Sequence, residues 1–93
     1  MKIVVSSSYL RALKSVVKKN PTLKEIIRKR LEILQTDPFN YALRTHKLKG
    51  SLSGAWSCTV AYDCRIVFDF VVNEEIEEEE ILLINIGTHN EVY

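Results

Sequence analysis

AWSCTVAYDCRIVFDFVV, residues 55–72, decides how this 93-residue chain folds. In residues 55–61, Trp56, Cys58 and Val60 alternate with Ser57 and Thr59. A period of two is the mark of a half-buried strand. Residues 64–72 are almost continuously apolar and rich in β-branched and aromatic side chains, as a central strand requires. Two such strands in succession call for a sheet and for something apolar to cover it.

The segments on either side supply both. Towards the C-terminus, ILLINIG (81–87) reads as a last long strand, and NEEIEEEE (73–80) as an exposed, charged hairpin connection. Clustered like charge there resists edge-to-edge association of sheets. Towards the N-terminus, Gly50 to Gly54 reads as a turn rich in Ser and Gly, and LRTHKLK (43–49) as a strand or its approach. Before Pro38 the period changes. Tyr9, Leu10, Leu13, Val16 and Val17 recur at helical spacing, and Leu23, Ile26, Ile27, Leu31 and Leu34 form a second stripe. Serines 6–8 offer N-caps, Asn20-Pro21 a cap followed by proline at the first helical position, and Asp37-Pro38 a stop. Helices are expected over residues 7–19 and 21–36, after a short strand KIVVS (2–6). The expected fold is therefore α+β: a two-helix hairpin on one face of a mostly antiparallel sheet of four to five strands, in the order β-α-α-β-β-β-β. Residues 1–93 make one domain, with no repeat and no linker.

Charge divides the chain. Residues 1–50 carry 12 Lys and Arg against three acids, and residues 51–93 carry one base, Arg65, against nine acids. A basic half of this kind can mark an anion-binding face, or simply solvated helix surfaces. No apolar run approaches the roughly 20 residues that span a bilayer, and MKIVVSSSYL is too short in its apolar stretch for a signal peptide. The expected location is the cytoplasm, with no membrane partner. Cys58 and Cys64 lack metal-ligand spacing and are expected as buried thiols.

Sequence motifs exclude several chemistries. There is no GxGxxG, Walker loop, HExxH or nucleophile elbow. The polar groups left for chemistry are His46, Lys47, Lys49, Arg65, His89 and Tyr93. One reaction suits them without a metal or other cofactor. The 2′-OH of RNA can attack the adjacent phosphate if a base takes its proton and an acid protonates the leaving 5′-oxygen. Histidine titrates near working pH, and the arginine fork binds phosphate oxygens while keeping its charge. Tyrosine can stack on a base. Taken singly, each residue also has a plainer reading. His46, Lys47 and Lys49 suit a solvated strand, Arg65 a strand start, and His89 and Tyr93 a terminus packed on the sheet. Trp56 reads as core or core edge.

The block LKGSLSGAWSCTVAYDCRIVFDF (48–70) resembles the central segment of the RelE/ParE superfamily of bacterial toxins. Leu48, Gly50, Ser53, Gly54, Trp56 and Ser57 match the pattern L-x-G-x-x-S-G-x-W-S, and Arg65-Ile66-Val67-Phe68 matches R-[IVL]-V-[YF]. The ending GTHNEVY resembles the YafQ-like branch, which closes with G-T-H and an aromatic residue. The resemblance implies a type II toxin acting as an mRNA interferase: it enters the ribosome, cuts the bound message without a metal, and is blocked by a cognate antitoxin. Residue by residue, it implies His46 as general base, Arg65 on the scissile phosphate, His89 as general acid and Tyr93 stacking on or orienting the nucleotide. Lys47 and Lys49, with Arg65, resemble the family's RNA-contacting cations. Ser57 and Thr59 stand where YafQ-like toxins carry a further Asp and His, and Asp63 matches an aspartate of that branch. The chain thus combines YafQ-like ends with a YoeB-like middle. Two other functions compete: a ParE-like poison of DNA gyrase, and an inactive RelE-fold partner of an antitoxin repressor.

Overall fold

The computed structural model describes residues 1–50 and 54–93. Its strands are β1 (Lys2–Val5), β2 (His46–Lys47), β3 (Trp56–Ala61), β4 (Cys64–Asn73) and β5 (Glu78–Gly87). Its helices are α1 (Ser7–Lys19), α2 (Leu23–Thr36) and a short closing helix α3 (His89–Val92), with a 3-10 turn at Tyr41–Leu43. The strands form one sheet in the order β1-β5-β4-β3-β2. β1 runs parallel to β5, and the other pairs are antiparallel. The α+β architecture and the element order are those expected from the sequence.

Alternation sorts the strand residues onto two faces. Cys58, Val60, Cys64, Ile66, Phe68, Ile81, Leu83 and Ile86 join Tyr9 of α1 and Ile27 and Leu34 of α2 in a single buried cluster. The helical hairpin therefore covers one face of the sheet, and removal of this apolar surface from water supplies most of the folding drive. Ser6 caps α1: its side chain accepts from the Tyr9 N–H at 3.0 Å. Trp56 sits at the core edge with Phe39 and Phe70, ring centroids 5.3 and 5.7 Å away. Both cysteines are buried and unpaired with each other, as expected.

Several boundaries differ from the sequence reading. The second helix starts at Leu23, because Asn20, Pro21 and Thr22 close a turn in which the Leu23 and Lys24 N–H groups donate to the Asn20 and Pro21 carbonyls. Only His46–Lys47 of residues 43–49 is strand. The 3-10 turn and left-handed Arg44 (φ 50°) occupy the approach. The acidic connection is shorter than expected, a turn at residues 74–77, and Glu78, Glu79 and Glu80 belong to β5. A ten-residue β4 needs an equally long partner, and backbone pairing is available to any side chain. Glu80 is 7 % exposed, accepts from the Asn73 side chain at 3.3 Å and lies opposite Lys2 of β1. Ser51, Leu52 and Ser53, in the middle of the expected Gly50–Gly54 turn, lie outside the described residues. Gly50 (φ 74°) and Gly54 (φ 97°) take left-handed backbone angles that glycine adopts at little cost.

Candidate active site

Strand register builds the site on the face away from the helices. His46 lies opposite Ser57, Ser57 opposite Val67, and Val67 opposite Asn85. Residues opposite one another in an antiparallel ladder share a face, with Cβ atoms about 4.5–5.5 Å apart. Val67 is buried but stands outside the core cluster, which fits a second, smaller packed face. The next row along holds Thr59, Arg65 and Gly87. Arg65 is thus one row from His46 on the same face.

His46 is oriented from behind. Its Nδ1 lies 3.0 Å from the carbonyl oxygen of Arg44, which the left-handed turn presents to the ring. A carbonyl can only accept, so Nδ1 carries the proton in the neutral ring and Nε2 keeps its lone pair. That tautomer leaves the outer nitrogen able to take a proton.

The chain end is folded back over this face. Thr88 caps α3 through a capping box: its hydroxyl accepts from the Glu91 N–H at 3.3 Å, and the Glu91 carboxylate accepts from the Thr88 N–H at 2.9 Å. Hydrogen bonds from the Thr88 N–H and hydroxyl hold the Glu91 carboxyl below the usual carboxylate range, and Lys19, 3.8 Å away, acts in the same direction. Gly87 permits the close approach: a Cβ there would stand 3.1 Å from the Glu91 Cβ and 3.4 Å from Val92 Cγ1. Val92 is buried against the sheet. His89 and Tyr93, one turn apart on α3 and its C-cap, pack edge to face with ring centroids 4.5 Å apart. The Tyr93 hydroxyl hydrogen-bonds the hydroxyl of Ser57. The Asp63 carboxylate accepts from the His89 N–H at 3.4 Å.

The structure therefore joins four residues in sequence: His89 packs on Tyr93, Tyr93 is bonded to Ser57, and Ser57 is the strand partner of His46. Arg65 is held beside them by its own turn, where Nη1 donates to the carbonyls of Ala61, Tyr62 and Cys64 at 3.0, 3.1 and 3.3 Å. The two lysines are placed differently. Lys47 pairs with Trp56 on the helix-covered side, its Nζ 5.9 Å from the indole centroid, and Lys49 is exposed beyond the end of β2. The sequence reading gave Ser57 no part, and Asp63 no defined one. Their partners are 36 and 26 residues away, and no local pattern links them. Among the described residues no three His, Cys, Asp or Glu side chains cluster as a metal site would need. No helix among them is long and apolar enough to cross a membrane.

Known proteins share this fold. YafQ from E. coli strain BL21(DE3) matches with a TM-score of 0.79 at 16% identity, over 99% of this chain and 97% of that one. The YoeB/ParE toxin from Agrobacterium tumefaciens matches with a TM-score of 0.75 at 21% identity, over 96% and 99%. The E. coli DinJ-YafQ toxin-antitoxin complex matches with a TM-score of 0.72 at 19% identity, over 99% and 96%. At such identities these likenesses establish the fold. None of the curated proteins matches. The family described as "Bacterial toxin of type II toxin-antitoxin system, YafQ" matches residues 1–93. Since that match runs from end to end, the chain belongs to the YafQ family of bacterial toxins of type II toxin–antitoxin systems.

Proposed function

We propose that this toxin is an endoribonuclease that cuts messenger RNA on the ribosome in the cytoplasm and is neutralised by a cognate antitoxin. The observation that carries the reading is the chain of contacts from His46 through Ser57 and Tyr93 to His89, with Arg65 beside it on one sheet face. Cleavage by 2′-OH attack needs a base and an acid on opposite sides of one phosphate, and positive charge at that phosphate. His46, its Nε2 free, takes the 2′-OH proton. His89 returns a proton to the departing 5′-oxygen. Arg65 keeps donors on its guanidinium beyond the Nη1 that braces the turn, and these bind the non-bridging oxygens. Tyr93, 41 % exposed, presents a ring for stacking and is fixed by its hydroxyl. Lys49, exposed beyond the end of β2, adds positive charge beside the site, whereas Lys47 is turned to the helix-covered side with Trp56.

Two imidazoles and one guanidinium form a sparse set, so much of the barrier must fall through positioning of the 2′-OH in line with the phosphate. The ribosome supplies that positioning to a bound message. The antitoxin follows from the family and from the likeness to the DinJ-YafQ complex. The test is primer extension on a reporter message after pulsed expression, with His89→Ala and Arg65→Ala compared with the native chain. Codon-aligned cuts lost in both variants are expected. Growth arrest without cuts would replace this reading with poisoning of gyrase, and neither cuts nor arrest would indicate a silent partner of an antitoxin.

A further inference from the structure

Lys47 is turned away from the candidate site, and its surroundings suit a second role. Its Nζ lies 5.9 Å from the indole centroid of Trp56, which belongs to a cluster of three rings. Phe39 meets Trp56 edge to face at 5.3 Å and stacks on Phe70 at 5.8 Å, and Trp56 and Phe70 lie 5.7 Å apart. The outer side of this cluster is open: Phe39 is 59 % exposed, and Tyr41, two residues on, is 92 % exposed. The turn that carries both is firmly built. The Asn40 side chain accepts from the Ala42 N–H at 2.9 Å and donates to the Asp37 carboxylate at 3.1 Å, and Leu43 is fully buried. A fixed backbone thus holds the Tyr41 ring out into water. Charge around these rings has one sign. Residues 33–62 contain a single acid, Asp37, against Arg44, Lys47 and Lys49. All three cations are exposed, and among the described residues none of them is in a salt bridge. On the same sheet face, Glu79 lies opposite Val72, two positions beyond Phe70, so an anion is repelled from that side and drawn towards Tyr41.

We infer that Phe39 and Tyr41, with Lys47 and Lys49, form a stacking platform for the single-stranded message as it passes from the cut site round the edge strand β2; that the strand is a message rests on the endoribonuclease reading above. Every base has a π-face, and exposed rings set among cations meet both needs of a single strand: the rings stack its bases and the lysines track its phosphates. The route is short. β2 is the edge of the sheet, and its two residues point to opposite faces, His46 to the site and Lys47 to the rings. A strand held at His46 reaches the platform by turning that one edge. A protein partner is the rival occupant, since it too could cover exposed rings. The charge favours RNA: phosphates recur along the strand and neutralise all three cations. The exposed large apolar residues between 37 and 49, Phe39 and Tyr41, are also both aromatic, as base stacking requires.

The chain has one tryptophan, so Trp56 emission reports on this patch alone. The probe is a 2′-O-methyl RNA of about 12 nucleotides, a length that single-strand grooves accommodate. It has no 2′-OH to attack and stays intact when titrated against the full chain. Saturable quenching of Trp56 is expected. Tyr41→Ala, at an exposed position and so compatible with folding, should weaken the titration about 5- to 150-fold, the range for loss of one base–aromatic stack. Tyr41→Phe should keep the native affinity. Lys47→Gln with Lys49→Gln should reduce the slope of log affinity on log salt by about 1.4, or about 0.7 for each phosphate contact. Arg65→Ala should weaken the same titration, because one strand spans site and platform. Absence of quenching, or native affinity in Tyr41→Ala, would overturn the inference and leave the rings to a protein partner. An unchanged titration in Arg65→Ala would overturn it in favour of a separate strand, such as ribosomal RNA. Message cuts without quenching would sink the platform alone, and quenching without cuts would sink the nuclease reading alone.

Discussion

The bond between Tyr93 and Ser57 gives a prediction whose asymmetry comes from burial. Ser57 is 0 % exposed, and Tyr93 is its one side-chain partner among the described residues, whereas Tyr93 itself is 41 % exposed. Ser57→Ala removes the buried partner and leaves a phenol hydroxyl able to turn to water. Its cost should be that of one neutral hydrogen bond, about 0.5–1.5 kcal/mol. Tyr93→Phe keeps the ring and its packing on His89, but strands the serine hydroxyl in a dry place, at about 1–3 kcal/mol. The double variant removes both polar partners, so its cost should lie below the sum of the single ones, with a coupling of about 1 kcal/mol. Because α3 is short, its local opening can admit water to Ser57 and cap the penalty. Urea unfolding gives the global values, and hydrogen exchange at the Val92 and Tyr93 amides gives the local ones. Message cleavage should fall in both single variants through a loosened His89, with the ring still present in Tyr93→Phe. If Ser57→Ala proves as costly as Tyr93→Phe, or the cycle shows no coupling, the bond does not hold the chain end on the sheet.

Other outcomes follow from the same structure. Gly87→Ala should press on α3, because the added Cβ would stand 3.1 Å from the Glu91 Cβ; cleavage should fall in the reporter assay while urea unfolding of the sheet changes by less than about 1.5 kcal/mol, as expected of a local shift. Phe68 is fully buried at the centre of β4, so Phe68→Ala should cost about 3–5 kcal/mol in urea unfolding. Burial pushes the Cys58 thiol from 9.0 up to about 12, the Cys64 thiol from 9.0 up to about 11, and the Tyr9 phenol from 10.0 up to about 12. All three are raised in the folded state, so their stabilisation is complete below the unfolded values and is lost as pH climbs through the folded ones. Thermal melts should show Tm falling from pH 9 towards about 12, and Cys58→Val should flatten that fall.

Much of the fold was legible in local pattern. The switch from helical spacing before Pro38 to alternation after residue 55 reflects which face each element buries, and burial is what the pattern encodes. The ends of elements were less legible, since they depend on partners. Glu78–Glu80 look like a loop in isolation, yet they pair because β4 extends to Asn73 and β1 lies alongside. Residues 43–45 look like strand, but only His46 and Lys47 find β3 opposite them.

The candidate site divides in the same way. Residue chemistry and the resemblance picked out His46, Arg65, His89 and Tyr93, because the chain has two histidines in all, Arg65 is the one base after residue 50, and all four fall at matching motif positions. The α+β order and the buried thiols were likewise readable from local pattern. How those groups meet is set by packing between distant parts of the chain. Register sets His46 against Ser57, Gly87 admits the closing helix, and that helix delivers Tyr93 to Ser57 and the His89 N–H to Asp63. The last two contacts join residues 36 and 26 positions apart in the chain. No local periodicity can specify them, because each exists only once the strands are paired and the last turn of chain is packed upon them.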